Sequence, residues 1–417
     1  FLGFDSLQRS LITAVKEAVD NSLDACEEAR ILPEIKVEIN RQKGDDIELI
    51  SQDNGPGIPR DAIENVFGKF LLGSRFHAIR QTRGQQGIGI TGVVMYAQLT
   101  TGAKTRVISK IAKESSAVFV ELGLDTRKNK AIKSRERREV WADENTGEEI
   151  AHGLKISTVM KAKYQRGKQS VFQYLRMTSI VNPHATITLI VKDRDGEILE
   201  DATWIRTSEK LPRVVEEIKP HPHGIQLGTL QRMLRESEQN RMTSFLRHNF
   251  SGVSVRAAKE LLSKSEIEEN RNPKRINSED TKRLIHSFQE IKLLPPPTDC
   301  LSPIDDLLIK KGLSKAIDSR FASTVTRLPS VSQGNPFQIE VGLVFGGDLT
   351  SDGPIEVLRF ANRVPLMYQQ GGCALTKAIE SINWKQYGLD HPGGKGLPKG
   401  AAAVLIHLAS TNVQFTS

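Results

Sequence analysis

The sequence is poor in cysteine and has no long apolar run. None of its apolar stretches approaches the roughly 18 residues that a membrane span requires, and no basic-then-apolar leader opens the chain. Cys26, Cys300 and Cys373 lie far apart, without a CxxC pair or a histidine cluster. That spacing argues against a zinc site or a disulfide framework and points to a reducing compartment. No internal repeat is visible. A Walker P-loop is missing too: Gly84 and Gly89 have the GxxxxG spacing, but Ile90 stands where the lysine belongs. Gly87-Ile-Gly89-Ile-Thr-Gly92 is a literal GxGxxG, yet polar, basic "RFHAIRQTR" precedes it instead of the apolar strand a dinucleotide fingerprint needs. The chain opens on Phe1 rather than Met, which suggests an internal boundary.

What the chain does have is length and positive charge. Its 417 residues exceed what a single core organises, so two or three domains are expected. The net charge of +8 suits a polyanionic partner, nucleic acid first, although a solvated basic face reads the same way. "RSLITAVKEAVDNSLDACEEA" has the period of an amphipathic helix, with Leu11, Val15, Val19, Leu23 and Cys26 on one side and Pro33 beyond its end. "EIKVEIN" and "DIELIS" alternate and form a predicted antiparallel hairpin. Further strands are expected over 106–111, 117–122, 154–160 and 186–192. Helix first, then mainly antiparallel strands, indicates an α+β sandwich. From about Lys219 the pattern turns helical, through Phe288. "KLLPPPTD" then marks a stiff boundary. Strands return in "FQIEVGLVFGG", "IEVLRFANR" and "AAVLIHLAS", with a helix over 373–382 as a crossover.

Three stretches carry chemistry. "GQQGIGITG" brings glycines to 84, 87, 89 and 92 with no charged side chain among them. Such a loop lets main-chain amides approach a ligand, or serves packing alone. "DNGPGI" is a turn whatever else it is, but Asp53 closes an apolar strand, where a carboxylate could accept the exocyclic amine of adenine. Glu17 and Asn21 stand one helical turn apart on the polar side of the first helix, with Asp24 and Glu28 continuing the stripe. A solvated acidic stripe is the plain reading. Alternatively, a carboxylate and an amide so spaced can hold a water and a Mg²⁺ ion side by side.

The order "EAVDNSLDA", "DNGPG", "GQQGIGI" resembles the ATP-binding fold shared by DNA gyrase, the ninety-kilodalton heat-shock chaperones, histidine kinases and MutL. With "GSRFHAIRQTRGQQGIGITG", the helical middle and "RFANRVPLMYQQGGCALTKAI", nearly the whole chain is similar to the B subunit of archaeal-type (type IIB) DNA topoisomerase VI. The resemblance implies a GHKL ATP-binding sandwich over 1–218, a helix–two-turns–helix unit over 219–297 and a ribosomal S5-like transducer over 298–417. It implies Glu17 as general base and Asn21 as Mg²⁺ ligand. Asp53 with Gly55 and Gly57 would hold adenine, and Ser74 and Arg75 would lie in a lid. Gly84, Gln85, Gln86, Gly87, Ile88, Gly89, Ile90 and Thr91 would cradle the phosphates of ATP. Arg247, Arg256, Lys259 and Lys264 could contact DNA phosphates, and a solvated helical face is the competing reading.

The implied protein is an archaeal, cytoplasmic, nucleoid-associated isomerase component with no membrane partner. It dimerises on ATP and joins a tyrosine-bearing A subunit in an A₂B₂ assembly on double-stranded DNA. An ATP-driven clamp or chaperone of the MutL type is the alternative. The family's γ-phosphate lysine is expected after "AAVLIHLAST". Lys395 and Lys399 precede that strand and are not read as its equivalent. The family's N-terminal arm and C-terminal stalk helix have no counterpart in this sequence.

Overall fold

The protein is described by a computed structural model over residues 3–70, 79–84, 89–125, 127–144 and 146–413. Helix α1 (Leu7–Glu28) starts at Ser6, whose hydroxyl accepts the amide of Arg9. Leu11, Val15, Val19, Leu23 and Cys26 are all buried, as their spacing predicts. Strands β1 (Glu34–Arg41) and β2 (Asp46–Asp53) form the predicted antiparallel hairpin. Helices α2 (Arg60–Gly68) and α3 (Gly89–Thr101) follow. Next come β3 (Thr105–Lys110), β4 (Ala117–Asp125), β5 (Lys130–Glu139) and β6 (Gly153–Lys161). Helix α4 (Val171–Val181), β7 (Thr186–Lys192) and β8 (Ile198–Trp204) close this part.

These eight strands make one sheet in the order β5-β4-β3-β6-β2-β1-β7-β8. Strands β1 and β7 run parallel, and the other neighbours are antiparallel. Alternation turns Val37, Ile39, Ile187 and Leu189 onto one face, where they bury against α1, α3 and α4. Strands β5 and β8 escape the period-2 signal. Both lie at sheet edges and leave most side chains partly or fully exposed, so no apolar face marks them.

The helical stretch contains α5 (Leu227–Glu236), α6 (Met242–Asn249), α7 (Val255–Lys264) and α8 (Ser278–Glu290). It has its own core, built around Leu230, Phe245, Leu261 and Phe288. A capping box of Asn277 and Asp280 starts α8. The last part holds α9 (Asp306–Ala316), β9 (Phe321–Thr326), β10 (Ser330–Ser332), β11 (Asn335–Phe345), β12 (Glu356–Ala361), β13 (Val364–Pro365), α10 (Ala374–Glu380) and β14 (Ala402–Ser410). Its sheet runs β10-β11-β14-β12-β13, with β9 also on β11. Strands β12 and β14 are parallel, and α10 lies in the connection between them, as the crossover pattern predicts. Helix α9 has no counterpart among the expected elements. It joins the first and last parts, since Ile309 and Leu313 share a core with Ile180 of α4.

Next to the start of α9 lies a buried acid–base pair. His407 Nδ1 is 2.7 Å from Glu340, while its Nε2 accepts the Arg363 amide at 3.0 Å. Accepting at Nε2 leaves the ring proton on Nδ1, so a neutral imidazole donates to the carboxylate. Burial lowers the His407 pKa from 6.5, outweighing the pull of Glu340. Burial works against ionised Glu340 as well. The donation from His407 and the amides of Ile304 and Asp305 nevertheless hold its pKa down at about 2.

Both folded pKa values therefore lie below their unfolded values, and the unfolded chain binds more protons. Stability from this pair is complete above pH 6.5 and is lost as pH falls, first through His407, then below pH 4.5 through Glu340. The urea midpoint is expected to drop between about pH 8 and about pH 5.5. The drop should shrink in His407→Gln.

Candidate active site

The β2 pattern places Ile47, Leu49, Ser51 and Asp53 on the helix-facing side of the sheet. Asp53 is thus a carboxylate at a position that alternation reserves for an apolar residue. It is 6% exposed. One oxygen accepts Ser22 of α1 at 2.7 Å and the other accepts the Gly55 amide at 2.9 Å. Burial raises its pKa, against those hydrogen bonds. Each carboxylate oxygen has a second lone pair, so the group can still accept a ligand N–H.

The turn after Asp53 is fixed from several sides. Asn54 donates to the Leu32 carbonyl at 3.0 Å and accepts the Glu34 amide at 2.8 Å. His152 Nδ1 lies 2.9 Å from the Gly55 carbonyl. Ser109 bonds both the amide and the carbonyl of Ile58, at 2.7 and 2.8 Å. At Gly57 the backbone has φ +72°, and a Cβ there would overlap the Lys110 carbonyl. Position 57 therefore requires glycine.

Along α1 the polar residues rise from Ser22, under Asp53, to Asn21 and then Glu17. Asn21 is exposed and Glu17 is half-buried. Lys16 lies 3.2 Å from Glu17 and 3.2 Å from Asp20. Burial opposes its charge, yet the two carboxylates raise its pKa well above the ordinary lysine range. The Glu17 carboxylate packs directly on Gly89, the first residue of α3, where a Cβ would overlap Oε2. The leading amides of α3 have no partner within the helix, and partial positive charge collects there. Glu17 thus stands beside a ready anion site.

Gly84 is exposed, and Gly89 and Ile90 are partly exposed at the α3 N-terminus. Thr91 is buried and its hydroxyl points to the Val66 carbonyl at 3.4 Å. Ser74, Arg75, Gln85, Gln86, Gly87 and Ile88 lie outside the described residues.

The acidic stripe beyond Asn21 is not simply solvated. Arg83, 5% exposed, donates to Asp24 at 2.6 Å and to both oxygens of Glu27 at 2.8 and 2.6 Å, and reaches Asn182 at 2.7 Å. Arg80 approaches Glu28 at 3.6 Å. Arg83 carried no local signal, because its partners lie between 56 and 99 residues away.

Metal chemistry at this site has a donor set to draw on. Asn21 offers a hard oxygen donor one turn from Glu17, which fits Mg²⁺ held by one protein group together with phosphate oxygens and waters. Among the described residues no three of His, Cys, Asp and Glu converge as a closed cage.

On the helical unit, Arg247, Arg256, Lys259 and Lys264 are all exposed. Lys259 pairs with Glu269 at 3.5 Å and Lys264 with Glu290 at 2.9 Å. No helix among the described residues is long and apolar enough to cross a membrane.

Residues 6–126 match the family of histidine kinase-, DNA gyrase B- and HSP90-like ATPases. Residues 296–417 match the transducer family of the topoisomerase VI B subunit. The whole chain is 50% identical to the B subunit of type 2 DNA topoisomerase 6 from Methanococcoides burtonii and covers 65% of it. It is 47% identical to the protein of the same description from Archaeoglobus fulgidus, covering 67%. Against that of Pyrococcus abyssi it is 36% identical, covering 78%. In each case the match takes in 100% of this chain. The chain thus spans slightly less than two thirds of the length of its Methanococcoides relative.

Proposed function

The chain belongs to the family of type 2 DNA topoisomerase 6 B subunits, and from that premise we propose that it is the ATP-hydrolysing component of a double-strand-passage DNA topoisomerase. The observation that carries this reading is the contact between the Glu17 carboxylate and Gly89 at the start of α3, with Asp53 buried against Ser22 of α1, the helix that carries Glu17. On this reading an adenine acceptor (Asp53), a metal ligand (Asn21) and a base beside an anion site (Glu17) follow one another along α1, in the order in which ATP presents its parts.

Asp53 accepts the exocyclic amine of adenine, and Gly55 and Gly57 let the base lie against the backbone. The amides of Gly84, Gln85, Gln86, Gly87, Ile88, Gly89, Ile90 and Thr91 receive the phosphates, with Ser74 and Arg75 in the covering segment. Glu17 orients a water in line with the γ-phosphorus and takes its proton as the new P–O bond forms, while the bond from that phosphorus to the β,γ-bridging oxygen breaks and its electron pair leaves with ADP. Asn21 would supply a ligand to Mg²⁺, which when bound neutralises phosphate charge.

ATP drives closure because it binds a closed dimer more tightly than the open form. Three units, 1–218, 219–297 and 298–417, carry the nucleotide site, a DNA-facing helical module and the transducer. Cleavage belongs to a separate A subunit, in an A₂B₂ assembly on duplex DNA. The transducer match favours this reading over a MutL-like clamp. The test is reconstitution with a tyrosine-bearing A subunit. ATP-dependent relaxation of supercoiled plasmid that needs both proteins supports the reading, and cleavage by this chain alone contradicts it.

The helical module contacts phosphates chiefly through Arg247 and Arg256, because Lys259 and Lys264 are already ion-paired. Removing both arginines is expected to reduce the salt slope of DNA binding, log K against log salt, by about 2. Titrations at several salt concentrations check this. An unchanged slope removes the module from the DNA path.

A further inference from the structure

Residues 79–84 lead directly into the glycine-rich segment, and nearly every one is tied to a different part of the protein. The Ile79 carbonyl accepts the Ile218 amide at 3.1 Å. Gln81 bonds the Cys300 carbonyl through its amide at 2.9 Å and clasps the main chain of Ser302 with its side chain, at 3.1 and 2.7 Å. The Thr82 carbonyl accepts Asn362 of the β12–β13 turn at 2.9 Å. Arg83 then grips α1 through Asp24 and Glu27, and the C-terminal end of α4 through Asn182.

We infer that Arg83 is a positioning residue for ATP turnover, fixing the root of the phosphate-binding glycine segment on the helix that carries Glu17 and Asn21. The inference rests on the ATPase reading above. Asp24 lies seven residues beyond Glu17, about 10.5 Å along the helix axis. A tie there sets the segment's origin without touching the ligand. The bidentate fork to Glu27 fixes orientation as well as distance, which a lysine cannot do. A buried ion pair adds little net stability over apolar packing. What the fork supplies is geometry between two elements that must meet around the phosphates.

Two variants test this. Arg83→Lys keeps the charge and loses the fork. Glu27→Gln/Arg83→Gln removes both buried charges together, and the remaining carboxylate of the cluster, Asp24, is 27% exposed and so keeps water contact, which favours folding. Steady-state ATP hydrolysis is measured with each, alongside thermal unfolding. A misplaced cradle loses hydrogen bonds to the charged phosphates, and the loss of even one raises KM for ATP by roughly tenfold or more. A purely structural role lowers the active fraction instead, so apparent kcat falls and KM stays put. A raised KM in both variants supports the inference, and an unchanged KM in a folded variant overturns it. A parent protein that neither binds nor hydrolyses ATP overturns the functional reading itself, and the inference with it.

Discussion

Glu17→Gln is expected to lower ATP turnover by about 10²- to 10⁴-fold. Affinity for a non-hydrolysable ATP analogue should stay within about threefold, since general-base help acts in the transition state and not on binding. Glutamine keeps the size of the side chain and its contact with Gly89 and Lys16, but cannot take a proton from water. Phosphate release and calorimetric titration of the analogue measure the two quantities separately. Gly89→Ala is the companion variant. Its methyl group claims the space of the Glu17 carboxylate. That carboxylate is the free end of a flexible side chain, so the fold accommodates the change and the base moves. Turnover should fall in the same sense as for Glu17→Gln. Turnover at the parent rate in both variants would remove Glu17 from the chemistry.

Asp53→Asn is expected to weaken ATP-analogue binding by about 10- to 150-fold, the worth of a hydrogen bond to a charged group. Stability should move far less. Burial already raises the Asp53 pKa, so the native fold bears a cost for holding this carboxylate. Neutralising it relieves that cost. The replacement amide has a single acceptor oxygen, so it loses one of the bonds from Ser22 and Gly55. The two effects offset, and the urea unfolding free energy should change by no more than about 1 kcal/mol. Binding lost without stability lost is the signature of a group kept for a ligand. A large destabilisation with affinity intact would make Asp53 a structural residue of the turn.

Much of this site was legible before the structure because its elements are local. The apolar spacing of Leu11, Val15, Val19, Leu23 and Cys26 fixes which side of α1 faces the sheet, and so turns Glu17 and Asn21 the other way. Alternation along β2 puts Asp53 on the buried face. The glycine run marks where main-chain amides can approach a ligand. Other features depend on distant chain. Asp24 reads as part of a solvated stripe until Arg83 arrives from 59 residues away. Glu340 and His407 look like ordinary strand residues until strands β11 and β14 pair them. Edge strand β5 was invisible for a different reason. Its side chains are charged on both faces, and edge pairing demands no apolar pattern.

The most direct measurement is a structure of the protein with Mg²⁺ and a non-hydrolysable ATP analogue. The expected density has adenine against Asp53, the phosphates on the amides leading into α3, and the γ-phosphate facing Glu17 across one water. Nucleotide bound elsewhere, or a Glu17 carboxylate separated from the phosphates by protein, would contradict the account.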